Sequence, residues 1–407
     1  MIYDAFICLF ACVVRIAALF SRKIRTMVRG ELAAFDVLRG KIDPREEYLW
    51  FHAASLGEFE QGRPLIETIR ERHPGSKVLL TFFSPSGYEV RKNYKGADVV
   101  CYLPIDTPRN VRRFVTLAHP KVAFFIKYEF WKNYLTYLHD LGIPAYSVSS
   151  IFRPGQVFFR WYGKYYNDVL RQFTHIFVQN VESVRLLASI GVTNVSITGD
   201  TRFDRVIDIR RQAKDLPLVA LFKGDNRQTL VAGSSWQPDE DIFIPYFNSH
   251  PEMKLIIAPH VVSESHIEEI LSKLQRPAVR YTKATRENVL NAGCLVIDCF
   301  GLLSSIYRYG EVAYIGGGFG VSIHNTLEAA VYGIPVIFGP ENKKFMEAQG
   351  LKACGGGFEI SCREDCDRLL TRFFMDEAFL RDSGKRAGSY VTGHSGAMEK
   401  ILGIVGL

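Results

Sequence analysis

Beyond its first twenty residues the chain has no stretch that approaches about eighteen uninterrupted apolar side chains, which excludes a polytopic membrane protein. It has no internal repeat of solenoid period and no low-complexity tract, so it is neither a repeat array nor a disordered linker. It contains no G-x-x-x-x-G-K-[ST] segment, and an ATPase phosphate loop is therefore not indicated. Charge of one sign is scarce: 50 Lys and Arg face 43 Asp and Glu, for a net +7. That argues against a general nucleic-acid binder, which needs basic stripes along its folded body. Eight cysteines are present, but Cys362 and Cys366 have no second Cys or His pair at zinc-site spacing. Most of the others sit in apolar surroundings, as in Val-Val-Cys101-Tyr-Leu, and read as buried reduced thiols.

What is there is an ordinary folded composition, 47% apolar and 23% charged over 407 residues. At about 100–200 residues per domain, this length predicts two domains with a core each. The N-terminus stands apart. Ala5–Phe20 is apolar except at Arg15, and as a helix it would be roughly 24 Å long, short of a ~30 Å hydrocarbon layer. Basic residues follow the apolar run and no small-residue cleavage site is evident, which argues against a secretory signal. Residues 1–30 hold Arg15, Arg22, Lys23, Arg25 and Arg29 against Asp4 alone, more than half of the net surplus. They predict an anchor, spanning or lying in the interface, with Arg22–Arg29 on anionic headgroups at the cytoplasmic face. The alternative is a buried core helix.

Past residue 45, β-rich runs alternate with helical patterns. The predicted strands are 48–55, 77–83, 99–103, 122–128, 145–149, 175–179 and 195–198, then 230–234, 254–259, 278–281, 295–298, 312–316, 336–338 and 357–360. Several are continuous apolar runs, such as Val-Ala-Phe-Phe-Ile, which suit parallel strands covered on both faces. The pattern predicts an α/β protein of two doubly wound Rossmann-like domains with a facing cleft, plus the N-terminal helix. Its expected divisions are 1–30, an acceptor-binding domain 31–205, and a nucleotide-sugar domain 206–407 whose last helix is free to pack back on the first domain.

Three strand-to-helix loops carry candidate chemistry. In Ser55-Leu-Gly57-Glu58 a strand ends and turns into a helix, so Glu58 is placed either to act as a general base or to stabilise the helix dipole as a first-turn acid. In Gly316-Gly317-Gly318 through His324-Asn325-x-x-Glu328, glycines let backbone close on a ligand phosphate, while Asn325 and Glu328 also match a capping box. In Gly233-Ser234-Ser235-Trp236, Ser235 suits either a phosphate or the cap of a helix beginning near Pro238. Asp239-Glu240-Asp241 formally matches a metal-binding D-x-D, but following Pro238 it reads as the acidic first turn of a helix.

With these loops in place the chain resembles the bacterial 3-deoxy-D-manno-octulosonic acid (Kdo) transferases of lipopolysaccharide synthesis, glycosyltransferases of the two-domain GT-B type. Ser55-Leu-Gly57-Glu58, Ser84-Pro85-Ser86-Gly87, Tyr128-Glu129-Phe130-Trp131, Thr198-Gly199-Asp200-Thr201-Arg202-Phe203-Asp204 and the Gly316-to-Ala330 stretch follow the family's order. The resemblance implies an inverting, metal-independent transfer of Kdo from CMP-Kdo to a lipid A precursor at the cytoplasmic face of the inner membrane, with no cofactor and no nucleic acid. Glu58 is then the catalytic base and Glu129 supports the acceptor side. The donor is expected to meet Arg202, Ser235, His260, Phe300, Gly301, Gly317, Gly318, Asn325 and Glu328, with backbone amides near Ser235 and Gly317–Gly318 and the charges of Arg202 and His260 on the leaving phosphate. The chain departs from the pattern at Lys127, where the family has Glu, at Arg202, where it has Lys, and at His260, where many members have Arg. The alternatives are another GT-B sugar-nucleotide enzyme, a UDP-sugar transferase or epimerase, or a catalytically silent membrane-attached binding protein.

Overall fold

The computed structural model describes residues 2–320 and 322–407. Among them, fourteen strands form two seven-stranded parallel sheets. The chain divides into two compact units, one running up to Asp204 and taking in Ser395–Leu407, the other spanning Arg205–His394.

The first unit opens with two helices, α1 (Ile2–Phe20) and α2 (Arg22–Lys41). Its strands are β1 (Tyr48–Ala53), β2 (Lys77–Phe82), β3 (Val99–Tyr102), β4 (Pro120–Ile126), β5 (Ala145–Ser150), β6 (His175–Val178) and β7 (Val195–Ile197). They lie in the order β3-β2-β1-β4-β5-β6-β7, so the winding reverses between β1 and β4. Helix α3 (Leu56–Arg72) leaves the end of β1. β1 is buried along its whole length because both sheet faces are covered, which is why its sequence does not alternate. Trp50, Phe114, Phe125 and Tyr134 fill one face, and Phe51, Phe59, Phe82 and Phe124 the other. Met398, Ile401 and Leu402 of the terminal helix Ala397–Val405 join that second face. The Asp204 carboxylate accepts the N–H groups of Gly396 at 2.7 Å and Ala397 at 3.1 Å, an anion on the helix N-terminus.

The second unit contains β8 (Thr229–Ser235), β9 (Lys254–Pro259), β10 (Ala278–Arg280), β11 (Cys294–Val296), β12 (Val312–Ile315), β13 (Val336–Phe338) and β14 (Gly357–Glu359). Their order is β10-β11-β9-β8-β12-β13-β14, with the reversal between β8 and β12. In open α/β sheets the crevice at such a reversal, outside the carboxyl ends of the strands, is where ligands bind. All eight cysteines are free thiols; Cys101, Cys294 and Cys366 are buried and Cys362 is exposed.

Helix α1 is neither a detached anchor nor a core helix. Ile7, Ala11, Val14 and Ala18, spaced for one helical face, are buried. Ile7 and Ala11 pack on Ile105, and Val14 packs with Met27 of α2 against Tyr102. The Tyr3 hydroxyl donates to Asp106 at 2.6 Å. The opposite face leaves Phe6, Leu9, Val13, Ile16 and Phe20 exposed. Arg25 donates to the carbonyls of Ala18 at 2.9 Å and Leu19 at 2.7 Å, satisfying the last turn of α1 with a cation. Among the described residues, Tyr3–Phe20 is the one helical segment long and apolar enough to cross a membrane.

Candidate active site

In the first unit both strands at the reversal contribute. Beyond β1, the backbone N–H of Ser55 donates to Glu58 Oε2 at 3.1 Å, the geometry of an N3 acid closing a capping box. The first-turn role of Glu58 is therefore real, and it fixes the side-chain rotamer. Burial, and then the charge of Glu129, raise the Glu58 carboxyl above the usual range for glutamate; His52 and Lys127 oppose them. Glu129 lies in the turn after β4 and is itself buried.

Glu129 ends a buried chain of hydrogen bonds that the motifs alone did not reveal. The Thr81 hydroxyl oxygen accepts from Trp50 Nε1 at 2.8 Å. It donates to the Phe51 carbonyl at 3.3 Å and lies 2.9 Å from His52 Nδ1. His52 Nε2 in turn lies 3.0 Å from Glu129 Oε2. The same oxygen accepts Trp131 Nε1–H at 2.7 Å. His52 and Thr81 are fully buried; their only sequence signal is that polar residues interrupt two apolar strands. Backbone strain collects at these strand ends. Lys127 at the end of β4 and Ser149 in β5 hold φ of +62° and +57°, a left-handed conformation that costs roughly 1–3 kcal/mol without glycine and concentrates at functional sites.

Arg202 also belongs to this region of the chain. Its guanidinium grips Asp200 through Nε at 2.9 Å and Nη2 at 2.7 Å, and Gln61 Nε2 donates to the same Asp200 oxygen at 3.2 Å. The charge expected on a donor phosphate is thus already shared with a carboxylate.

In the second unit β8 passes through Ser234 at φ +53° and ends at Ser235. Ser235 does not cap the helix that follows. Its hydroxyl donates to buried Glu240 at 2.9 Å, and Trp236 is the N-cap of the helix Gln237–Ser249. The D-x-D stretch proves structural in a way its sequence did not disclose. Asp239 Oδ2 accepts the N–H of Trp236 at 2.9 Å and that of Gly317 at 2.8 Å, while Oδ1 accepts the Tyr314 hydroxyl at 3.0 Å. The Gly317 amide expected on the leaving phosphate is therefore already committed to Asp239.

The glycines of this loop serve backbone packing. Gly317 has φ +90°, and a Cβ there would lie 2.3 Å from the Ser322 carbonyl oxygen. A Cβ on Gly318 would lie 2.6 Å from the Gly339 backbone. Asn325 is not the helix cap either: the short helix Leu327–Ala330 starts after Thr326. Asn325 Oδ1 accepts the Leu327 N–H and its Nδ2 donates to Glu328 Oε1, both at 3.1 Å. The hydroxyl of fully buried Thr326 beside them has no protein partner.

His260, beyond β9, stacks between Trp236 and His324, with centroids 4.6 and 4.4 Å away and both pairs tilted by 26°. Trp236 Nε1–H donates to His324 Nε2 at 3.1 Å. Burial lowers the pKa of His260, and burial together with His260 lowers that of His324 to about 4. Burial thus favours the neutral form of both imidazoles, against the standing positive charge expected of His260. Phe300 and Gly301 sit in the loop after β11, Phe300 78% exposed and Gly301 at φ +85°. Among the described residues no group of three His, Cys, Asp or Glu side chains is placed to hold a metal ion.

The fold of this chain is shared with solved structures of low sequence identity. A UDP-GlcNAc 2-epimerase from Neisseria meningitidis superposes with TM-score 0.58 over 88% of this chain and 99% of its own, at 13% identity. MurG from Acinetobacter baumannii gives TM-score 0.55 over 89% and 99%, at 11% identity. Two parallel doubly wound units of this kind define the GT-B fold, and the chain is a glycosyltransferase. Residues 31–205 match the family model described as 3-deoxy-D-manno-octulosonic-acid transferase (kdotransferase). The enzyme of that name from Aquifex aeolicus is 29% identical over 354 residues, 83% of this chain and 90% of its own length. The one from Haemophilus influenzae is 24% identical over 380 residues, 89% and 87% of the two chains. The chain thus resembles the Kdo transferases, by the family model over residues 31–205 and by its curated relatives over most of its length.

Proposed function

We propose that this enzyme transfers Kdo from CMP-Kdo to a hydroxyl of a lipid A precursor, inverting the anomeric carbon, with Glu58 as general base. The observation that carries the reading is the Glu58 carboxyl at the β1/β4 reversal, locked in one rotamer by Ser55 and raised by burial and by Glu129. A carboxylate whose pKa is moved toward neutrality holds an acceptor proton better than an ordinary glutamate does. The acceptor oxygen attacks the anomeric carbon as Glu58 takes its proton, and the CMP phosphate leaves from the opposite face. Glu129, held by His52 and Trp131, supports the acceptor side and keeps the Glu58 carboxyl raised.

On the donor side, the Trp236–His260–His324 stack, Asn325 with Glu328, and the Phe300-Gly301 loop receive the cytidine nucleotide. His260 gains a proton when the phosphate arrives. The reaction uses fixed protein dipoles in place of a cation, and Asp239, whose oxygens are filled by three donors, belongs to the scaffold. The enzyme works at the cytoplasmic face of the inner membrane. The exposed apolar stripe of α1 and exposed Arg22, Lys23, Arg25 and Arg29 support that placement. Product mass analysis after incubation with CMP-Kdo and an acylated disaccharide tests the reaction, and calorimetry with CMP against UDP tests the donor. Preference for UDP would favour the other sugar-nucleotide enzymes.

A further inference from the structure

We propose that a groove between α1 and the Val157–Tyr166 stretch seats one acyl chain of the lipid acceptor; the inference rests on the transferase reading above. The groove encloses about 510 Å³, within the usual range for small-molecule sites. Tyr3, Phe6 and Phe10 of α1 form one wall and Val157, Phe158 and Tyr166 the other. Trp131 and buried Glu129, the carboxylate that also raises the Glu58 pKa, line it as well.

Three features select the occupant. The lining is carbon, apart from a few polar tips, and Glu129 is its one charged residue among those described. An anionic headgroup or phosphate would be repelled there. Phe6 and Val157 are exposed at the mouth, and the stripe Leu9, Val13 and Ile16 continues the apolar surface along α1. A hydrocarbon chain therefore has an unbroken apolar route from a bilayer to the Glu129 carboxylate, where its polar head would stand next to Glu58. Trp161 and Tyr162, exposed just beyond Val157, are side chains that favour a membrane–water boundary. The helix that reads from sequence as an anchor thus builds one side of the acceptor site, docked by the Tyr3–Asp106 hydrogen bond.

The test is kcat/KM on disaccharide acceptors whose chains are shortened stepwise, ending with the deacylated sugar. A seated chain loses about fourfold per methylene removed. Val157→Trp, which narrows the mouth, lowers the acylated-to-deacylated kcat/KM ratio about tenfold or more, the worth of a few buried methylenes. Kdo transfer that is indifferent to chain length overturns the groove and leaves the transferase reading standing. Absence of Kdo transfer to every acceptor overturns the transferase reading and the groove with it. Should Val157→Trp fail to fold, the wild-type series decides alone. A diazirine on the acceptor chain is expected to label Phe6, Val157 or Phe158. Equal labelling of these residues by diazirine phospholipid in vesicles, undiminished by acceptor, would assign the groove to bulk lipid and overturn the proposal.

Discussion

Asp239 and Gly317 are 78 positions apart in the chain, yet the Gly317 amide donates to the Asp239 carboxylate at 2.8 Å and ties the glycine-rich loop after β12 to the first turn of the helix after β8. The two strands flank the sheet reversal, so one buried aspartate fixes both backbone walls of the candidate donor site. Three donors converge on it, and a variant can be chosen to separate their loss from loss of the charge.

Asp239→Ala strands the Trp236 and Gly317 N–H groups and the Tyr314 hydroxyl, and should cost about 3 kcal/mol or more in denaturant unfolding. Asp239→Asn keeps an acceptor oxygen toward the two amides. Its NH2 can donate to Tyr314, whose hydroxyl rotates to accept, so the loss should be about 1 kcal/mol. CMP affinity should fall steeply in the Ala variant and survive in the Asn variant. Equal losses in both would mean that the charge, not the hydrogen-bond geometry, holds the loop.

Removal of residues 1–20 should destabilise the first unit as well as release it from membranes. Truncation uncovers Ile105, Tyr102 and Asp106 and discards the buried faces of Ile7 and Val14. At about 1.5–3 kcal/mol per large aliphatic side chain, the loss is about 3 kcal/mol or more. The truncated protein in detergent-free buffer should melt earlier than the full chain in micelles, and adding micelles should not restore it. An unchanged melting temperature would reduce α1 to a simple anchor.

The fourteen strands were legible because parallel strands covered on both faces leave local apolar runs, and each expected run became a strand within a few residues. The loops at the strand ends were legible as well, since small and glycine residues mark them. Their roles were less so. Glu58 as cap and Glu58 as base share one spacing, and only its proximity to Glu129, 71 residues later, bears on the choice. His52 and Thr81 looked like interruptions in β1 and β2, because the pairing that brings them together is set by sheet register. Arg15 looked like a break in an apolar helix; its charge in fact acts on buried Glu31 of α2, whose carboxyl burial raises to about 8. Long-range polar contacts of this kind leave no periodicity to read.

Donor binding should be accompanied by proton uptake. Burial holds His260 below the ordinary histidine pKa in the unliganded protein, and a phosphate placed against it favours the charged form. The pKa therefore rises on binding, and affinity for CMP should increase as pH falls from about 8 to about 6, the range across which histidine switches. Calorimetry in two buffers of different ionisation enthalpy measures the uptake directly, and His260→Asn should abolish it. His324, lowered to about 4, stays neutral throughout that range and cannot account for the signal. Zero uptake in the wild type would remove His260 from the phosphate.

The two roles of Glu58 make opposite predictions about Glu58→Gln. As general base, Glu58 is required ionised, and the variant should lose about 10²–10⁴ in turnover with CMP binding kept. As a cap, its amide replacement keeps an oxygen for the Ser55 N–H, so little stability is at stake. The pH dependence fixes the sign. The folded-state pKa of this carboxyl is raised, so the folded chain binds its proton more tightly than the unfolded chain does. Its contribution to stability is present below the ordinary glutamate pKa and is lost as pH rises through the raised value. At pH 7 Glu58→Gln should therefore melt at or above the wild-type temperature, with that advantage disappearing toward about pH 4. Glu129 adds a further check, because its charge is the second cause of the shift. Glu129→Gln should move the acid limb of the kcat profile to lower pH, as Glu58 becomes easier to ionise. A Glu58→Gln variant that turns over normally would make Glu58 a structural cap and send the search for the base to Glu129.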